Sequence, residues 1–210
     1  MNNLLLQLFL IVQNRSANTW LVGGCVRDLI LGMAPKDYDI VTDANIEELK
    51  EEFLANGWAV NAVGENFLVY AVSKEHQQFE IANFRKEYGF TDGRRPDHVE
   101  IGTLEEDAQR RDFTVNSIYW NPITNEYKDP NNGKKDLQNK VLRFIGKPKD
   151  RIKEDYLRVF RFYRFLSKFK KIGMEAEPRS LSACREMFRE AYGKTNPERV
   201  RMEIERMSLT

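Results

Sequence analysis

Several things are scarce in this chain of 210 residues, and each scarcity removes a class of protein. There are two cysteines, Cys25 and Cys184. They stand far outside metal-ligand spacing, and they imply no disulfide framework. Two histidines are too few for most histidine-based metal sites. No apolar run approaches the roughly 20 residues that a membrane span needs, so no membrane partner is expected. The apolar stretch Leu4 to Val12 is short, contains Gln7, and lacks a basic start and a small-residue cleavage site. It reads as a first helix rather than a signal peptide. Repeats and low-complexity tracts are missing. A cytoplasmic protein is the expectation, and the sequence points to no oligomeric state.

What is present is ordinary for a globular chain: 41% hydrophobic and 31% charged residues, enough apolar surface to exclude disorder. The length suits one large domain or two small ones. The net charge of +1 hides an asymmetry. Residues 1–133 carry 12 Lys and Arg against 21 Asp and Glu, whereas residues 134–210 carry 21 against 11. An acidic half suits cations and a basic half suits phosphates, although two solvated faces would look the same.

The local patterns predict a mixed sheet with helices followed by a helical segment, an α+β chain. Thr19–Val22, Tyr38–Val41, Ala59–Val63, Phe67–Val72 and Phe79–Phe84 read as strands. A helix is expected from Val26 to Leu31, ended by Gly32. Another starts at Asn45, with Glu48 three residues on as a capping-box-like start, and runs to about Leu54. Lys86 to His98 is polar, holds Gly89, Gly93 and Pro96, and reads as an exposed, mobile loop. Leu104–Arg110 and Thr114–Tyr119 look helical. Asp129 to Gly133 is a dense turn signal and a candidate hinge. From Arg151 the pattern is helical, with Tyr156, Leu157, Phe160, Tyr163, Phe165 and Phe169 as its apolar side. A last helix starts near Pro197.

Five segments could carry chemistry. In Asp37-Tyr38-Asp39, two carboxylates two residues apart on a strand face one side, and hard cations such as Mg²⁺ prefer such oxygen ligands. Alone, the pair also fits exposed turn carboxylates. Gly23-Gly24-Cys25-Val26-Arg27-Asp28 sits at a strand-to-helix junction, where glycines admit a phosphate and Arg27 supplies a guanidinium, or where the chain merely turns. Glu80 interrupts an apolar strand, as an outward-facing residue or as a third acidic group able to take a proton or bind metal. Arg110 to Asn116 packs donors and acceptors around Asp112, a reasonable N-cap. In Glu154 to Arg164, Asp155 and Arg158 lie at i, i+3. They form either a surface ion pair or an acceptor and a donor for a base edge.

Taken in order, these segments resemble the class II tRNA nucleotidyltransferase and bacterial poly(A) polymerase family, in its head and neck region. The resemblance rests on Gly23-Gly24-x-x-Arg27-Asp28 with Asp37-x-Asp39, on the Glu80 strand, and on the Asp92-Gly93-Arg94-Arg95-Pro96 loop. It continues through Arg110-Arg111-Asp112-Phe113-Thr114-x-Asn116, Asp129-Pro130 to Asp136, Glu154-Asp155-x-x-Arg158-x-x-Arg161, and Glu198-Arg199. Each is weak alone, but their order over almost the whole chain is specific.

The resemblance implies a polymerase-beta-like nucleotidyltransferase head with a mixed sheet over residues 1–136 and a helical, base-recognising neck over 137–210. The body and tail domains of longer members would be absent. Asp37 and Asp39 would hold Mg²⁺, with Glu80 as the third catalytic carboxylate. Gly23, Gly24 and Arg27 would meet the triphosphate, and Arg111, Asp112 and Asn116 the sugar and phosphates. Asp155 and Arg158 would serve as a protein template for the base, supported by Arg161 and Arg164. The loop 86–98 would help the switch from C to A addition. The implied reaction is transfer of CMP or AMP from CTP or ATP to the 3′ end of a tRNA or other RNA, foremost CCA addition. Poly(A) addition is the alternative, and a catalytically idle RNA-binding module is a rival of another class.

Overall fold

The computed structural model describes residues 2–64 and 69–208. The chain divides into two compact units. The first comprises Met1–Lys86, Val99–Arg110 and Asn116–Pro130; the second comprises Glu87–His98, Arg111–Val115 and Asn131–Thr210. Among the described residues, no helix is long and apolar enough to cross a membrane.

The first unit opens with α1 (Asn3–Arg15), whose N-cap Asn2 accepts the Leu4 N–H at 3.0 Å. Leu4, Leu5, Leu8, Phe9 and Val12 are buried, the i, i+3/i+4 spacing of a helix with one core face. Next come β1 (Thr19–Val22), α2 (Gly24–Ile30), β2 (Asp39–Thr42) and α3 (Ile46–Ala55). The Asn45 N-cap expected at α3 is present, but not as a capping box: Asn45 accepts the Glu47 N–H and donates its side-chain amide, rather than its backbone N–H, to Glu48 at 3.0 Å. Strands β3 (Ala59–Gly64), β4 (Val69–Lys74) and β5 (Gln77–Asn83) follow. The start of the strand expected at Phe67 lies outside the described residues.

After β5 the chain forms a two-stranded ribbon of β6 (Arg85–Tyr88) and β7 (His98–Ile101), then α4 (Leu104–Arg110), β8 (Tyr119–Trp120) and β9 (Tyr127–Lys128). The polar segment expected as a plain loop is therefore flanked by paired strands. The helix expected over Thr114–Tyr119 is instead a single 3₁₀ turn, Thr114–Asn116, followed by β8.

The main sheet has strand order β3-β4-β5-β2-β1-β8-β9. All its neighbours run antiparallel except β2 and β5, which are parallel, so the sheet is mixed. Trp20, Val22, Val41, Phe84 and Tyr119 pack on one side of it with Leu104 and Ala108 of α4. Full burial of side chains this size stabilises by about 1.5–3 kcal/mol each. One carboxylate lies beneath this layer. Asp107, fully buried, accepts the Tyr119 hydroxyl at 2.7 Å, the Arg110 guanidinium at 2.7 Å and the Arg85 N–H at 3.3 Å. A buried charge needs that saturation.

The second unit contains α5 (Gly133–Gln138), β10 (Val141–Leu142), α6 (Pro148–Glu154), α7 (Arg158–Phe169), β11 (Glu175–Ala176), α8 (Pro178–Lys194) and α9 (Pro197–Ser208). Strands β10 and β11 pair in parallel. The core is aromatic. Phe113 meets Phe144 at 4.9 Å and Phe165 edge-on at 5.5 Å, while Phe144 stacks on Phe162 at 5.5 Å. Phe162 is fully buried, whereas Tyr163, expected on the apolar side, is only half-buried.

Candidate active site

In the first unit, strand order does the assembling. Asp39 opens β2, opposite Val22 on β1 and Glu80 on β5. Partners in register project to the same side of a sheet. Val41 and Ala82, next on that side, lie in the apolar layer under α4. Asp39 and Glu80 thus stand on one face, where that layer ends. Asp39 is half-buried and Glu80 exposed, although its strand neighbours Phe79 and Ile81 are buried. The Glu80 N–H donates to the Tyr38 carbonyl at 3.3 Å, so the pairing with β5 reaches back through Tyr38. Asp37, exposed, sits one residue earlier, outside β2. Among the described residues, no three His, Cys, Asp or Glu side chains form a ready-made metal cage.

Beside Asp39, β1 turns into α2 through Gly23, whose φ of 81° and ψ of −133° suit glycine alone. Gly24 follows as the first residue of α2. A Cβ on it would lie 3.4 Å from Arg27 Nη2. Arg27 is buried: Nη2 pairs with Asp28 at 2.7 Å, and Nη1 donates to the Asn116 side-chain oxygen. Two residues expected at the nucleotide, Arg27 and Asn116, are thereby joined. Cys25 donates its thiol to the Val22 carbonyl at 3.2 Å. Burial, aided by the Asp39 charge, pushes its pKa up to about 11, so it is a neutral thiol at pH 7 and no nucleophile.

The second unit gathers the other expected residues. Asp112 is buried; one of its oxygens accepts the Phe113 N–H at 2.8 Å, the other accepts Arg161 Nε at 2.9 Å and Nη2 at 2.5 Å. The Asp112 charge holds the Arg161 pKa above its ordinary value, against the opposing effect of burial. The Arg111 carbonyl accepts Arg151 Nη2 at 2.8 Å. Burial, with the nearby Arg158 charge, pulls Arg151 down to about 10. Arg158 does not pair with Asp155. Its Nη1 donates to Glu154 at 2.6 Å and to the Arg151 carbonyl at 2.7 Å. The two do not share a helix either: α6 ends at Glu154, and Asp155 accepts the Leu157 N–H at 3.1 Å before α7 begins. Asp155 is met from α9 by Arg199 at 3.4 Å. Arg164 pairs with the buried Glu203 of α9 at 2.5 Å and lies over the Phe165 ring at 4.2 Å.

Residues 19–143 match the poly(A) polymerase head domain family. The chain belongs to it. A CCA-adding enzyme of Lactobacillus helveticus is 35% identical over 199 residues, covering 94% of this chain and 48% of that protein. Poly(A) polymerase I of Escherichia coli O6:H1 is 38% identical over 173 residues, covering 76% of this chain and 35% of that protein. The crystal structure of the Bacillus stearothermophilus CCA-adding enzyme in complex with CTP matches 99% of this chain and 49% of its own, at TM-score 0.80 and 28% identity. The chain thus spans less than half the length of these relatives.

Within a poly(A) polymerase head domain, the strand positions of Asp39 and Glu80 and the Gly23-Gly24 turn were legible in the sequence. It did not reveal the pairings by which Glu154, Glu203 and Arg151 hold Arg158, Arg164 and the Arg111 backbone. One signal was available. Arg199 and Glu203 stand at i, i+4 on α9, the spacing of a single helix face.

Proposed function

We propose that this chain transfers CMP and AMP from CTP and ATP to the 3′ end of an RNA without a template, foremost as CCA addition or repair on tRNA. The observation that carries the proposal is the in-register pairing of Asp39 and Glu80, with Asp37 just ahead and the Gly23-Gly24 turn alongside. The donor set is all oxygen, as Mg²⁺ prefers, and this ion commonly takes one or two carboxylates and completes its shell from phosphates and water. Asp37 and Asp39 would hold it, and when bound it lowers the pKa of the attacking hydroxyl and offsets charge on the phosphates.

The residues of the chain do the rest. The Gly23-Gly24 backbone lets the triphosphate come close, and Arg27, oriented by Asp28 and Asn116, directs positive charge at it. Glu80 takes the proton of the RNA 3′-hydroxyl as that oxygen attacks the α-phosphorus and pyrophosphate leaves. Asp155, just before α7, and Arg158, its first residue, present an acceptor and a donor to the incoming base. Arg161 and Arg164 anchor α7 through Asp112 and Glu203, and Arg111 and Asp112 border the sugar and phosphates. The poly(A) polymerase I relative favours a second reading, addition of A alone.

The test is incorporation of labelled CTP and ATP, separately and together, into a tRNA transcript lacking its 3′ CCA, with Mg²⁺. Two C and one A, then a stop, is the expected result. Long A tails without C would establish the second reading, and no incorporation would overturn both.

A further inference from the structure

The α8 helix carries a surface stripe that the proposed reaction does not use. Arg185, Phe188, Arg189 and Tyr192 fall at i, i+3, i+4 and i+7, along one side of the helix. Tyr192 is 64% exposed and Phe188 41%. Phe188 is steadied from beneath by Phe160 at 5.6 Å and Tyr163 at 6.3 Å.

The charges around the stripe are unevenly committed. Glu186 is held by Lys149 at 2.5 Å and by the Ser182 hydroxyl at 2.9 Å. Glu190 is held by Lys194 at 2.7 Å and by the Tyr156 hydroxyl at 2.9 Å. The Arg185 and Arg189 side chains make no hydrogen bond or ion pair among the described residues. Two like charges one helical turn apart oppose helix formation, so their mutual repulsion is a small cost to the fold. Two uncommitted guanidiniums beside an open aromatic ring match the alternation of phosphate and base in a single strand. The phosphates meet the cations, and a base stacks on the ring whatever its identity.

We propose that this face of α8 is a binding track for single-stranded RNA, with Arg185 and Arg189 on the phosphates and Tyr192 stacked on a base. It rests on the proposed function only in taking RNA as the ligand. The test is fluorescence anisotropy of a labelled single-stranded RNA of mixed sequence, without nucleotide or Mg²⁺, across a salt series. The double variant Arg185→Gln/Arg189→Gln should make the log–log salt slope shallower by about 1.4, at roughly 0.7 for each lost phosphate contact. Tyr192→Ala should weaken binding about tenfold, while Tyr192→Phe keeps the ring and should stay close to wild type. All positions are exposed, and circular dichroism checks that the helix is retained. Unchanged affinity and slope in the variants would overturn the proposal, as would a wild-type chain without RNA affinity. A change of oligomeric state with RNA binding intact would overturn it too, and would give the face to a second copy. Loss of RNA binding with CTP incorporation at saturating RNA preserved supports the track. RNA binding that depends on the stripe in a chain that incorporates no nucleotide would sink the proposed reaction and leave the track standing.

Discussion

Gly93 lies at the tip of the turn between β6 and β7, with φ of +63°. An added Cβ would come 2.5 Å from Tyr156 Cε2 and 2.8 Å from Cδ2. The ring cannot easily retreat. It is buried, its hydroxyl bonds Glu190 and Lys194 at 2.9 Å each, and Lys194 lies over its face at 4.7 Å. Gly93→Ala therefore meets two costs. The left-handed backbone costs an alanine roughly 1–2 kcal/mol. Intrusion on a fixed ring adds about 1–3 kcal/mol, as for overpacking generally. The turn escapes both by leaving Tyr156 and giving up the bond from the Tyr156 N–H to the Gly93 carbonyl, 3.2 Å. The lower bound, about 2 kcal/mol, raises the undocked population about 30-fold. Limited trypsin digestion reads that population, because cleavage follows the open form when opening and closing are fast. The bond to watch is Arg94–Arg95, since Pro96 protects the next one. In the docked turn both N–H groups of this pair are held by Asp92, at 2.8 and 2.7 Å. Gly146→Ala is the control. Its φ is +71°, but an added Cβ would find only Arg151 Cδ, at 4.0 Å, so it carries the backbone cost alone and should leave cleavage at Arg94 unchanged. A cleavage rate for Gly93→Ala within about threefold of wild type would refute the reasoning.

Asp37→Ala should abolish nucleotide transfer with the fold intact by circular dichroism; a retained rate would sink the metal assignment. Arg158→Ala should blur the choice between CTP and ATP more than it weakens triphosphate binding, and an unchanged preference in competition assays would remove the base-template role. Asp112→Ala removes the carboxylate that holds the half-buried Arg161 and should lower stability in urea by about 1.5–3 kcal/mol, against a much smaller loss for an exposed pair such as Arg201–Glu205. Cys25 is raised from 9.0 to about 11 in the folded chain, so the fold favours its protonated form. Its contribution is complete below pH 9 and declines as pH rises toward 11. Stability of Cys25→Ala, followed by urea unfolding, should fall less steeply over that window.

Where structure is local, the sequence was sufficient. Thr19–Val22 ends at two glycines, Asn45 caps α3, and the Leu104–Arg110 helix has the limits that its pattern predicts. It failed where the partner is far along the chain. Thr114 reads as helical, but its N–H goes to the Arg143 carbonyl and its hydroxyl to Asp136 at 2.6 Å, so the backbone turns into β8 instead. Asp155 and Arg158 have helical spacing, yet Asp155 takes the Leu157 N–H and breaks the helix between them. The β6–β7 ribbon is too polar for the apolar alternation that marks a strand. Of the candidate site, residue types and order were legible. The commitments of the arginines were not, because an ion pair between separate helices leaves no periodic trace.

The parallel pairing of β2 with β5 also sets an order of events during synthesis. Parallel neighbours require a crossover, and here it comprises α3, β3 and β4. Asp37 and Asp39 leave the ribosome long before Glu80 can dock beside them. Until β5 inserts, β2 has an open edge, and the emerging chain carries two carboxylates without their companion. Closing that long loop is slow compared with forming α1 or α3. A nascent chain therefore cannot bring Asp39 and Glu80 into register until the middle of its sheet is closed.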